Sequence, residues 1–237
     1  LASRNNLAAV YQAVGDLENA IPLYEATLSD RERVLGPDHP NTLASRNNLA
    51  GVYHAAGDLG RAIPLFEASL ADFERVLGPD NPNTLNSRNN LAGAYVAAGD
   101  LGRAIPLYEA SLVDCERVLG LDHPDTLTSR NNLAGAYHTA GDLGRAIPLF
   151  QASLTARERV LGLDHPDTLT SRNNLAYAYM TAGDLGHAIP LFQASLTDYE
   201  RVLGPELPPV ARWLSRHGPI GPEGSRPWHH RRSTPTS

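Results

Sequence analysis

Apolar side chains recur along this chain in two alternating stripes, both with helical spacing. Over residues 40–56, Leu49, Val52, Tyr53 and Ala56 fall on one stripe. Over residues 59–77, Ala62, Ile63, Phe66, Leu70 and Val76 fall on another. Gly57 and Gly78 follow the two stripes, where a left-handed residue past the last turn would stop a helix. His39-Pro40 opens the first stripe, with proline at a position where its missing N–H is no loss. Asp58 stands where a side chain caps the free N–H groups of the second. The pattern predicts two antiparallel helices of about 17 and 19 residues joined by a tight Gly-Asp turn. Pro64 falls early in the second helix, where it predicts a gentle bend and not a break.

The same pattern returns every 42 residues: Ser-Arg-Asn-Asn-Leu-Ala begins at Ser3, Ser45, Ser87, Ser129 and Ser171. An unbroken period of this length means one supersecondary unit stacked in a row. Residues 1–204 divide into five units: a truncated 1–36, then 37–78, 79–120, 121–162 and 163–204. Residues 205–217, with Trp213 and Leu214, are expected to form a degenerate capping helix. Residues 218–237, dominated by proline, glycine, serine and arginine, are expected to be a disordered tail. The start at Leu1, in mid-repeat and without methionine, reads as part of something longer and leaves a half-helix uncapped.

Composition narrows the function classes. The net charge of −6 argues against a dedicated nucleic-acid binder, which needs a basic face. Every basic side chain other than histidine is arginine, so a Schiff-base, phosphate-loop or general-base lysine is excluded. Cys115 is the single cysteine, leaving no intrachain disulfide or thiolate zinc cluster, and it reads as a neutral filler. No apolar run reaches the roughly 20 residues that span a bilayer, and no signal segment opens the chain. The expected location is the cytoplasm.

Leu49-Ala50, Tyr53, Gly57, Ala62, Phe66 and Leu70 resemble the tetratricopeptide-repeat pattern. The 42-residue length, the His-Pro entry, Asn-Asn-Leu-Ala and the closing Arg-Val-Leu-Gly resemble the kinesin-light-chain subtype, over residues 1 to about 204. The resemblance implies an all-α fold: a right-handed α-solenoid of antiparallel helix pairs, the tetratricopeptide-repeat superhelix. Its first helices would line a concave groove for a peptide or partner protein. The chain departs from the family pattern at Arg4, Arg46, Arg88, Arg130 and Arg172, where a bulky apolar residue is usual. These arginines lie beside the core stripe, so they are expected to need partners. The glutamates that close each preceding second helix are the natural ones, as in Arg46–Glu32.

On the first helix, Ala44, Asn47, Gly51, His54 and Ala55 share the face opposite Leu49 and Tyr53. In the resembled family that face is the groove wall. Asn5, Asn47, Asn89, Asn131 and Asn173 recur there, and a carboxamide offers both donors and an acceptor. A ladder of them could hold the backbone of an extended peptide; the plainer alternative is that they bond neighbouring helices. Beside them the residues vary, as Gln12, His54, Val96, His138 and Met180, and as Ala9, Gly51, Gly93, Gly135 and Tyr177. Variation next to a fixed amide suits local selection of side chains, although drift at exposed places would look the same.

His39, His123 and His165 are expected to cap helices and not to bind metal. Packed helices stand about 8–10 Å apart, too far for equivalent residues to share an ion at about 2 Å. No catalytic constellation and no cofactor motif emerges. The expected function is a non-catalytic interaction scaffold that holds an extended peptide or partner segment, without nucleic acid, membrane or cofactor. Two rivals are the sensor region of a larger nucleotide-dependent switch protein and a structural array that self-associates through uncapped repeat ends.

Overall fold

The computed structural model describes residues 2–203, and the described chain forms ten helices in five pairs with no strand. It divides into two compact units, Leu1–Gly162 and Leu163–Ser237. The first unit holds α1 (Ala2–Ala13), α2 (Leu17–Leu35), α3 (Pro40–Ala55), α4 (Leu59–Leu77), α5 (Pro82–Ala97), α6 (Leu101–Leu119), α7 (Pro124–Thr139) and α8 (Leu143–Leu161). The second holds α9 (Pro166–Thr181) and α10 (Leu185–Leu203). The expected capping helix at 205–217 and tail at 218–237 lie outside the described residues.

Each helix begins and ends on residues legible in the repeat. His39 Nδ1 accepts from the Asn41 N–H at 3.1 Å, so the histidine caps α3. In α5, Asn81 Oδ1 does the same work at 2.9 Å. At the other end of α3 the chain turns through Gly57 at φ +76°. There the Asp58 N–H bonds Tyr53 and the Gly57 N–H bonds His54, satisfying two carbonyls that the helix leaves free. Asp58 then caps α4 through the Arg61 N–H at 3.1 Å. Ala56 is not part of the apolar stripe: it is the exposed residue just past the last turn of α3. Pro64 sits at the sixth position of an unbroken α4, so its ring removes only the bond that Gly60 would accept.

Within the first unit, successive helices pack in chain order from α1 to α8, and α3 also touches α5, as α5 touches α7. It is an α-solenoid of antiparallel helix pairs, with a core that repeats layer by layer. Leu43, Leu85 and Leu127 are fully buried at the same point of their repeats. Thr42, Ser45, Ala50, Ala62 and Ser69 have no exposed surface, and their small size lets the helix axes come close. In the second unit α9 packs on α10, and Leu169 takes the buried leucine position.

The recurring arginines link the layers. Arg46 donates to Glu32 at 3.0 Å, as the sequence implies, and also to Asp72. Arg88 repeats the arrangement with Glu74 at 3.0 Å and Asp114 at 2.6 Å, and Arg130 reaches Glu116 at 2.8 Å. The aspartate was not legible as a partner because it lies 26 positions further on, in the second helix of the same repeat. Burial works to raise the Asp114 carboxyl, but hydrogen bonds from Arg117 and Arg88 outweigh it and hold the group below its ordinary range. In the fourth repeat Ala156 stands where that aspartate would be.

Candidate binding face of the first helices

The first helix of each repeat buries one side and leaves a strip of the other open. On α3, Asn41, Asn48 and Ala55 are exposed, while Ala44, Asn47, Gly51 and His54 are half-buried. The face expected from spacing is therefore accessible, with its most open line running through Asn48. The equivalent Asn6 and Asn90 are exposed too. Helical phase did not single them out: Asn48 lies only about 100° round the helix from the buried Leu49, whereas Asn47 lies about 160° from it.

The first asparagine of each pair is half-buried at 5, 47, 89, 131 and 173. For Asn5, Asn47 and Asn89 the amide oxygen is buried and has no hydrogen-bond partner. These three carbonyls are neither used up in helix stacking nor turned out to water. A buried acceptor without a partner costs about 1–3 kcal/mol, and such groups call for an explanation in function or bound solvent.

Two of the variable positions, Gln12 and His54, lean on the aromatic ring of the second helix of their own repeat. Gln12 Oε1 accepts from the Tyr24 hydroxyl at 3.0 Å. His54 meets Phe66 edge to face, with ring centroids 6.5 Å apart. Val96 packs against the apolar core from its half-buried place. His138 is half-buried, and that burial lowers its pKa, so it is neutral near pH 7. In the second unit, Tyr177 is 38% exposed and stands edge to face on Phe192 at 5.9 Å, with Met180 half-buried nearby in sequence. Gln12, His54 and Val96 are thus seated side chains and not freely projecting ones, and His138 and Met180 are half-buried.

At the turn ends of α3, α5 and α7 a second device fixes the angle between repeats. The Tyr53 hydroxyl donates to Glu25 of the preceding repeat, and the Arg61 guanidinium lies 4.0 Å from the Tyr53 ring centroid. Tyr95 with Glu67 and Arg103, and Tyr137 with Glu109 and Arg145, repeat this brace, the cations 4.1 Å from the rings. Burial, then the carboxylate, raises the pKa of all three phenols. Sequence reading missed the brace because its members come from three helices.

A tetratricopeptide-repeat family model matches residues 1–74, 47–112, 97–158 and 141–201, which leaves none of the five helix pairs outside it. The chain belongs to the tetratricopeptide-repeat family. A solved structure of a Podosopora anserina kinesin-light-chain candidate with nearly identical repeats is 30% identical. It aligns over 86% of this chain and 96% of its own, with a TM-score of 0.74. A second structure of that kind, also from Podosopora anserina, gives 31% identity over 85% and 95%, with a TM-score of 0.71. BtubC from P. vanneervenii shares the fold at 23% identity, over 86% of this chain and 81% of its own, with a TM-score of 0.71. No curated protein sequence matches the chain. Tetratricopeptide repeats mediate protein–protein interaction and serve in general as scaffolds. Among the described residues no helix is long and apolar enough to cross a membrane.

Proposed function

We propose that this protein is a non-catalytic, cytoplasmic scaffold that holds an extended peptide or partner segment along its first helices. The observation that carries this reading is the set of unpartnered amide oxygens on Asn5, Asn47 and Asn89, in register beside an open strip. Having no partner to lose, each of these amides would turn its oxygen out to accept a peptide N–H, and the neighbouring Gln12, His54, Val96, His138, Tyr177 and Met180 would sort side chains. Asn131 occupies the matching position in the fourth repeat, and within the second unit Asn173 does the same. An array of ten-residue peptides tests it. Replacing Asn47 and Asn89 together by alanine removes two hydrogen bonds of about 0.5–1.5 kcal/mol each, so bound peptides should weaken roughly 10-fold. Unchanged binding across the array would refute the ladder.

One observation favours a second reading, end-to-end association of copies. On α1, Leu7 is 47%, Val10 59% and Val14 72% exposed, whereas Leu49 and Val52, the α3 counterparts of Leu7 and Val10, are buried in the layer that α2 covers. The second helix of another copy carries the residues that cover this face inside the stack. Sedimentation velocity over a concentration series should then show association that Val10→Asp abolishes. A mass that stays monomeric throughout removes this reading.

A further inference from the structure

The third repeat differs from the others at one buried point. Where the second helix presents a ring to the variable position of the first, the chain carries Tyr24, Phe66, Tyr108, Phe150 and Phe192. The Tyr24 hydroxyl is taken up by Gln12. Tyr108 faces no such acceptor, because its repeat has Val96 at the glutamine position. Only 5% of Tyr108 is exposed, and burial alone pushes its phenol up to about 12, with no hydrogen bond contributing. Its hydroxyl oxygen lies 3.2 Å from where a Cβ on Gly93 would stand. The matching Gly51 and Gly135 have nothing within 4 Å, as expected where phenylalanine replaces tyrosine. One turn before Gly93, the Asn89 amide oxygen is the buried, unpartnered acceptor already described. A hydroxyl without a protein partner therefore stands at the gap that Gly93 leaves in the half-buried wall of α5, and an amide without a partner for its oxygen sits one turn away on the same helix.

We propose that Tyr108 and Asn89 form an amide-recognising subsite over Gly93, the hydroxyl donating to the carbonyl oxygen of one bound amide and the Asn89 side chain turning its oxygen out to accept that amide's N–H. The proposal rests on the peptide-holding reading of this face and gives it a fixed point. The chemistry is shared by a backbone peptide group and by an asparagine or glutamine side chain. Glycine at position 93 keeps the hydroxyl reachable, since any Cβ there would stand against it. Val96 keeps it unoccupied.

The test is a titration of the whole chain, labelled on its tyrosine rings, followed by NMR. The probes are N-methylacetamide for a backbone group, propionamide for a side-chain carboxamide, and butanone as an acceptor that lacks an N–H. Tyr108→Phe assigns the signal and should fold, because three other repeats carry phenylalanine there. At least one amide should move the Tyr108 signal several-fold more than butanone does, and the stronger of the two names the source. Val96→Gln should cut that response to the butanone level, by occupying the hydroxyl as Gln12 occupies Tyr24. Equal responses to amides and ketone, or an undiminished response in Val96→Gln, would overturn the proposal. The peptide array reports separately. If peptides bind and depend on Asn47 yet neither amide titrates Tyr108, the subsite fails alone; if amides titrate and no peptide binds, the wider groove reading fails.

Discussion

Arg88 has to serve two carboxylates on different helices at once, Glu74 before it and Asp114 after it. A planar guanidinium with donors on separate nitrogens can do so, whereas an ammonium on a flexible stem presents a single point of charge. Its side chain is only 10% exposed, so Arg88→Ala leaves two carboxylates facing an apolar gap. Breaking a buried pair costs about 3–5 kcal/mol. The 44% exposure of Glu74 discounts this, to about 1–2 kcal/mol in a urea denaturation series. Exchanging Arg88 and Glu74 should not restore stability, because a glutamate at position 88 would then face Asp114. Full rescue by that exchange would show that Asp114 is not a partner in solution. Cys115 illustrates the opposite case. It is buried, and that burial raises its thiol pKa, so it should stay unmodified by iodoacetamide at pH 8 until the chain is unfolded.

At the scale of the helices, one repeat lacks a part that the others have. Arg130 bonds Glu116, but Ala156 occupies the place where Asp72 and Asp114 give Arg46 and Arg88 their second acceptor. Ala156→Asp should stabilise the first unit by about 0.5–1 kcal/mol, the scale of a partly exposed ion pair. A rise in urea midpoint with unchanged slope would show it, and a fall would mean that the site cannot take the carboxylate. The helices themselves were legible because each is closed by short-range chemistry: Asp58 capping α4, Gly57 ending α3, His39 opening it. The arginine–glutamate link was legible because both residues recur beside the same inter-repeat seam. Asp72, the Tyr53–Glu25–Arg61 brace and Tyr108 were not, because each joins residues from separate helices whose approach depends on packing. Of the binding face, helical phase placed Asn47, Gly51 and His54 on one open strip, and it could not say that the Asn47 oxygen turns inward. Nor could it show that His54 and Gln12 are seated on rings.

Across the whole molecule the same ion pairs recur, so their response to acid is collective. Hydrogen bonds from Arg75, Arg117, Arg159 and Arg201 hold Asp38, Asp80, Asp122 and Asp164 below the usual carboxylate range. A carboxyl depressed in the folded state stabilises above its unfolded pKa of about 3.9, and that contribution fades as pH falls through the folded value. The lowered His138 acts in the same direction, since folding disfavours its charged form. Circular dichroism should therefore show a shallow loss of thermal stability below about pH 6.5, from His138, and a steeper drop below about 4, from the carboxylates. Added salt should flatten the drop, because most of these carboxylates are open to solvent. A profile that stays level to pH 2 would mean that the pairs contribute nothing.

The side-chain ties named above join residues at most 37 positions apart, from the arginine near the end of one second helix back to the aspartate ahead of its own first helix. No bolt in this assembly has to wait for a distant stretch of chain to arrive. Folding can therefore start in any one pair and zip outward in both directions. A recombination event that inserts or removes 42 residues would preserve every fastening on either side, so the array can change its reach without inventing new joints.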